Sequence, residues 1–215
     1  MKKTKVGLIR VLTTDDKDIL YAHEKKLMKY FSNLQITTRC IPNQPEGIYD
    51  ENTEKMAIPK IVELAKQFEK EYADIVFISC ANDPALRNTR QILSIPVIGA
   101  GSCCATFALG ISNKIGILMI TQNASQTMVK ILGDNLISCV RPTGVNKTLD
   151  LLTEEGKRSS LEAVERLIEK GCDTIALACT GMSTIGFADM IKKTHKVNVI
   201  DPVLAAGLPM SYRFF

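Results

Sequence analysis

Asp74-Ile-Val-Phe-Ile-Ser-Cys80 and Asp173-Thr-Ile-Ala-Leu-Ala-Cys179 are the stretches whose reading decides the fold. Each is an acidic residue, a short apolar run and a cysteine at its far end, and the two cysteines stand 99 positions apart. Short runs rich in β-branched residues read as buried strands. Other segments recur at similar offsets: Lys5-Val-Gly-Leu-Ile-Arg10 against Lys114-Ile-Gly-Ile-Leu-Met119, 109 positions on, and Pro96-Val-Ile-Gly99 against Asn198-Val-Ile-Asp201, 102 positions on. The chain therefore reads as two similar halves, 1–100 and 101–215, that differ by a few loop residues.

Working outward, strands are expected at Val6–Val11, Gln35–Ile41, Ile75–Ser79 and Val97–Gly99, then at Ile115–Ile120, Leu136–Val140, Thr174–Ala178 and Val197–Ile200. Helical spacing of apolar residues covers Lys17–Tyr30, Thr53–Lys70, Asp83–Leu93, Ser125–Leu132, Leu149–Lys170 and Thr184–Lys193, with Pro59 marking a kink or the true start of the second. Strands separated by helices imply parallel sheets with helices on both faces. The expected fold is α/β: two flavodoxin-like halves, each a parallel sheet flanked by helices, related by a pseudo-two-fold axis. The segment Gly99–Gly110 joins the halves and turns helical in its later part. A closing helix after Asp201-Pro202 is its counterpart and is expected to pack on the first half.

Composition sets the class. Of 215 residues, 46% are apolar and 23% charged, which is ordinary for a globular chain with a sizeable core. A net charge of +4, scattered in short lysine clusters such as Met1-Lys-Lys-Thr-Lys5, argues against a nucleic-acid surface. The apolar stretch Val6–Leu12 is interrupted by Arg10 and is too short for a signal core, and no run approaches a membrane span. A cytoplasmic location, no membrane partner and reduced thiols are expected. Seven cysteines without framework spacing and only two histidines, His23 and His195, argue against a disulfide scaffold and a zinc site; no metal is expected.

Ligands of open parallel sheets sit at the carboxyl ends of the strands, where both Cys80 and Cys179 fall. If the halves pack about a pseudo-two-fold axis, the thiols face each other across one cleft with room for a small molecule. Such a pair suits removal of a proton from one face of a carbon and its return to the other. Asp83-Pro84 reads as an N-cap with proline at the first helical position, and Ser183 as a cap behind Cys179. Helix N-termini there are expected to lower the thiol pKa from its usual value of about 8.5. The bland alternative is that both are packing residues, the reading kept for Cys40, Cys139 and Cys172; of the vicinal Cys103-Cys104, at least one is expected in the core. Arg10, at a ligand-facing strand end, suits a carboxylate; equally, it reads as an arginine paired with Asp15 or Asp16. Asn82, Ser102, Thr121 and Thr180 sit at successive strand ends and can supply hydrogen bonds, though each alone reads more readily as a turn or cap residue. Gly181 completes the expected substrate-contacting set. The turn-rich Asn43–Gly47 loop is a candidate for the cleft rim.

Taken together, Ser79-Cys-Ala-Asn-Asp-Pro84, Pro96-Val-Ile-Gly-Ala-Gly101 and Ala178-Cys-Thr-Gly-Met182 on duplicated halves resemble the aspartate/glutamate/hydantoin racemase superfamily over nearly the whole chain. The resemblance implies cofactor-independent racemisation of a small molecule, an amino acid or its hydantoin. One cysteine, as thiolate, takes the proton and the other, as thiol, gives one back on the opposite face. A homo-oligomer is expected. Cys80-Ala-Asn-Asp83-Pro84 is similar to the Cys-x-x-Asp-Pro pattern of hydantoin racemases. Gly181 stands where glutamate racemases carry a histidine, and Arg10 where they carry an aspartate. Arg10-Val-Leu-Thr13 keeps only the threonine of the Asn-Pro-Asn-Thr common in hydantoin racemases. The hydantoin type is preferred, with an aspartate or glutamate racemase as runner-up. A non-catalytic small-molecule sensor on the same fold is the alternative from another class.

Overall fold

The computed structural model describes residues 3–212, so part of the expected basic terminus, Met1 and Lys2, lies outside it. Two four-stranded sheets, parallel throughout, form the molecule. Strands β1 (Thr4–Arg10), β2 (Leu34–Cys40), β3 (Ile75–Ser79) and β4 (Val97–Gly99) are ordered β2-β1-β3-β4. Strands β5 (Ile115–Leu118), β6 (Leu136–Val140), β7 (Thr174–Leu177) and β8 (Asn198–Ile200) repeat the pattern as β6-β5-β7-β8. Strands β3 and β7 are buried at every position because helices cover both faces of each sheet, which is why they read as unbroken apolar runs.

On the first sheet, α2 (Glu51–Lys70) and α3 (Leu86–Ile92) cover one face, packing Ile61, Ala65, Phe68 and Leu86 over Ile9, Val76 and Ile78. The other face takes Leu27 of α1 (Lys17–Tyr30) and, from the far end of the chain, Val203, Ala206 and Met210 of α9 (Pro202–Ser211). The second sheet is covered by α6 (Glu154–Glu169) and α8 (Phe187–Thr194) on one side. Its other side takes α5 (Gln126–Leu132) and α4 (Ala100–Leu109), whose Cys104, Ala105 and Ala108 enter that core. The helix that follows the last strand of each sheet thus crosses to the other sheet. Burial of these small side chains on α4 and α9 lets the two helices approach closely and ties the halves together.

Local chemistry explains most boundaries. Asp16 caps α1 through the amides of Asp18 and Ile19, and Asp50 with Thr53 forms a capping box on α2, which runs through Pro59 from Glu51. Three expected elements differ. The helix expected from Asp83 begins at Leu86, because Asp83 and Ala85 both adopt left-handed backbone (φ 54° and 58°). The helix expected over Leu149–Lys170 is divided: a 3₁₀ turn spans Thr148–Leu152, and Thr153 caps α6 by accepting from the Gly156 amide. The helix expected over Thr184–Lys193 is preceded by α7 (Thr180–Thr184) and broken at Gly186, whose φ of 67° no helix accommodates. Ser183 is therefore inside α7 and caps nothing. Among the described residues, no helix is long and apolar enough to cross a membrane.

Candidate active site

Cys80 leaves β3 and Cys179 follows β7. The two line one cavity, together with Arg10, Ser79, Asn82, Thr121, Thr148, Thr180 and Gly181. Its volume is about 40 Å³, more than the roughly 10–15 Å³ that holds one water and well short of the roughly 300 Å³ at which ligand pockets begin. The expected room for a small molecule is thus much reduced in this conformation. A larger cleft of about 910 Å³ lies outside it and shares Asn82, Ile120 and Thr121 with it, so these three form the boundary between the two spaces. The loops carrying Gly47 and Thr148 line the cavity, and the Glu46 carboxylate pairs with the Lys147 ammonium between them. Asn43–Gly47 contributes to the rim as anticipated, through Gly47.

Both thiols are pushed up from the ordinary cysteine range, the reverse of the sequence expectation. Burial dominates at Cys80; the Asn82 amide opposes it weakly, while Cys179, Asp83 and Glu54 add to it. At Cys179 burial again dominates, but the Gly181 and Met182 amides, the Thr148 hydroxyl and the Arg10 charge all pull downward. Desolvation of a thiolate outweighs the few donors that a short helix start provides. Cys80 lacks even that start, since α3 begins six residues later. Gly181 is needed for a steric reason: a Cβ there would lie 2.3 Å from Thr148 Cγ2 and 3.3 Å from Cys179 Sγ. Its bare backbone lets the amide reach the sulfur.

Of the other expected contacts, Thr180 is buried and donates its Oγ1 hydrogen to the Ser79 carbonyl at 3.1 Å, joining the two cysteine-bearing segments. Asn82 donates from Nδ2 to Glu54 Oε2 at 3.1 Å, and Thr121 donates to the Asn123 carbonyl. Ser102 does not line the cavity. It lies in the first turn of α4, where its amide and that of Gly101 donate to the Asp83 carboxylate at 2.7 and 2.8 Å. Asp83 is a cap, as its chemistry suggested, but of α4 across the fold and not of the helix that follows it in sequence.

Arg10 is not paired with Asp15 or Asp16. It is 2% exposed, and its Nη1 donates to the carbonyls of Ile19 and Leu20 at 2.5 and 3.2 Å. Burial lowers its pKa to about 10.

His23 is the residue that sequence reasoning missed. It is fully buried on α1, with Nδ1 2.8 Å from Ser79 Oγ and Nε2 2.9 Å from both the Thr180 carbonyl and Thr184 Oγ1. A carbonyl only accepts, so Nε2 carries the hydrogen and Ser79 donates to Nδ1. Burial first, then the Arg10 charge, hold this imidazole well below its usual pKa; the Thr180 carbonyl opposes them and Lys26 adds to them. One neutral ring therefore links the residue before Cys80 to the residue after Cys179. The available signal was its place four residues before Leu27 on the buried stripe of α1. Among the described residues, no group of three or more His, Cys, Asp or Glu is arranged to hold a metal ion.

The Asp/Glu/hydantoin racemase family model matches residues 26–207. The chain belongs to that family. It is thus an isomerase of the racemase class. A hydantoin racemase from Pseudomonas sp. (strain NS671) is 29% identical over 184 residues, covering 79% of this chain and 69% of that protein. An allantoin racemase from Klebsiella pneumoniae superposes with a TM-score of 0.83 at 19% identity, covering 97% of this racemase and 86% of that chain. A glutamate racemase from Bacillus anthracis gives 0.71 at 15% identity, covering 98% and 81%. These neighbours share the two-sheet fold of this racemase.

Proposed function

We propose that this racemase inverts a 5-monosubstituted hydantoin without a cofactor, using Cys80 and Cys179 as opposed acid and base. The observation that carries the reading is that both thiols line one cavity at the carboxyl ends of their strands, although 99 residues separate them. Relatives named hydantoin racemase favour the substrate class, and allantoin is itself a 5-substituted hydantoin. In the reaction one thiolate takes the hydrogen from C5 as a proton. The electron pair left on C5 delocalises into the adjacent ring carbonyl, and the second thiol donates its proton to the opposite face. The thiol and thiolate have then exchanged places, and the reverse reaction uses them in the opposite roles.

Burial keeps the resting thiols neutral, so one must give its proton to solvent before reaction; the thiolate that remains, with its raised pKa, is a stronger base toward an activated carbon acid. Ring carbonyls make the C5 hydrogen of a hydantoin more acidic than that of a free amino acid, so less help is required from flanking acids and bases. Gly181, where glutamate racemases carry a histidine, is consistent with that lower requirement. The Arg10 charge pulls the pKa of Cys179 down, whereas Asp83 and Glu54 push that of Cys80 up, so Cys179 is the thiol more readily ionised. Entry of a five-membered ring into the 40 Å³ cavity calls for its lining, which includes Gly47 and Thr148, to give way. The test is polarimetry of pure D and L enantiomers of 5-methyl- and 5-benzylhydantoin with metal-stripped, cofactor-free protein. Both rotations should decay to zero faster than in buffer; unchanged decay for every hydantoin contradicts the reading.

A further inference from the structure

Arg10 is the one buried cation of the site without an acidic partner among the described residues. Lys26, a partly buried cation nearby, meets Asp201 at 2.8 Å. Asp16, which might have served Arg10, is occupied in capping α1. Only Nη1 of the guanidinium is hydrogen-bonded; Nε and Nη2 have no partner among the described residues. Every fully buried side-chain nitrogen or oxygen among those residues does have one. Nε and Nη2 must therefore reach the surface of a cavity, and Arg10 lines two: the thiol cavity and a narrow adjoining pocket bounded by Leu12, Pro45 and Thr148. Glu46, which lines the same adjoining pocket, is paired with Lys147, and burial keeps the neighbouring Cys40 and Cys179 thiols neutral; an uncompensated buried charge is strongly unfavourable, so a counter-charge is to be expected from outside.

Building on the racemase reading above, we infer that the substrate carries a carboxylate, which docks on the Nε–Nη2 edge of Arg10. That edge presents two parallel N–H donors, the fork that matches a carboxylate bidentately. Backbone carbonyls hold Nη1 and so fix the fork. Arg10 pairs in register with Cys40 on one side and Ser79 on the other, so the fork sits beside the Cys80 strand end while its charge is felt by Cys179. An uncharged 5-alkyl hydantoin leaves the fork unpaired. The carboxylate can belong to the 5-substituent of an acidic hydantoin or to a free amino acid, and the two are separable.

The experiment compares kcat/KM for enantiopure hydantoin-5-acetate and its neutral near-isostere hydantoin-5-acetamide, with L-aspartate and L-glutamate as a second arm. The parent protein should prefer the acid by about 10- to 100-fold, the effect expected of a charged bidentate pair. Arg10→Gln should lower both activities but erase the preference, and Arg10→Lys should restore part of it. Equal turnover of acid and amide by the parent, or an equal loss on both in Arg10→Gln, overturns the inference and leaves Arg10 as a support for the Cys179 thiolate. Turnover of the free amino acids alone, lost in Arg10→Gln, sustains the inference while removing the hydantoin reading. If nothing is racemised, calorimetry decides. Hydantoin-5-acetate bound by the parent and not by Arg10→Gln sustains the carboxylate site without the reaction; no binding to the parent overturns it.

Discussion

Cys80 and Cys179 end equivalent strands of equivalent sheets, but their surroundings have diverged. Behind Cys179 the chain turns at once into α7, and two amides, a threonine hydroxyl and the Arg10 charge converge on the sulfur. Behind Cys80 it passes through two left-handed residues before α3 begins, and its charged neighbours, Asp83 and Glu54, oppose a thiolate. The repeated pattern places a thiol at the end of each strand, both in one cavity; the loop chemistry around them then differs, with more groups favouring a thiolate at Cys179 than at Cys80. A symmetric two-base reaction requires only that both thiols reach one carbon, so unequal pKa values are compatible with it. They do set which protonation state waits for substrate.

The strongest way to break this comparison is to remove one side of it. Cys80→Ser and Cys179→Ser should each lower racemisation by about 10²- to 10⁴-fold, the usual worth of a positioned acid or base, when followed by polarimetry. Near-parental racemisation in either variant removes that cysteine from the mechanism.

A second effect concerns the bridge between the sites. His23→Ala leaves the Ser79 hydroxyl and the Thr180 carbonyl short of a partner, at a cost to folding of about 1–3 kcal/mol. The informative readout is not the rate. In deuterated water the variant should return deuterium to the face it left more often than the parent does, because the spacing of the thiols is no longer held. The ratio of exchange to inversion does not depend on how much protein is folded. An unchanged ratio makes His23 a packing residue only.

Acid lability should be smaller and is set by the same ring. The unfolded chain takes a proton on His23 near its ordinary pKa of about 6.5, whereas the folded chain, with its pKa held well below that, does not. Stability is therefore fully present above about pH 6.5 and falls as the pH drops below it, by at most about 1.4 kcal/mol per pH unit. Urea unfolding between pH 7 and 5 should show this slope, and His23→Gln should flatten it. Smallest of all is the Glu46–Lys147 pair across the cavity mouth. It is solvent-exposed, so Glu46→Gln should change kcat/KM by no more than a few-fold, through KM more than kcat. A large fall in kcat would give the pair a direct part in the chemistry.

Much of the fold was legible because it rests on local pattern. The bounds of α1, β3, β4 and β6 follow from apolar spacing alone, and the duplication announced the two sheets. What was not legible depends on partners distant in sequence. Asp83-Pro84 has every local mark of a helix start, yet its carboxylate is claimed by amides 18 and 19 residues away. His23 looked unremarkable because its partners lie 56 to 161 residues on. The direction of the thiol shifts was misread for the same reason, since burial is a property of the assembled cavity. Of the expected contact residues, the cavity gathers Arg10, Asn82, Thr121, Thr180 and Gly181 around the cysteines and leaves Ser102 to α4.

The central claim is that each cysteine serves one face of the same carbon, and proton NMR in deuterated water tests it most directly. Each pure enantiomer of a turned-over substrate is incubated with Cys80→Ser and, separately, with Cys179→Ser. The account predicts that each variant exchanges the carbon-bound hydrogen of one enantiomer without inverting it, and that the two variants choose opposite enantiomers. Both variants exchanging the same enantiomer, or either one racemising both at the parental rate, would contradict it.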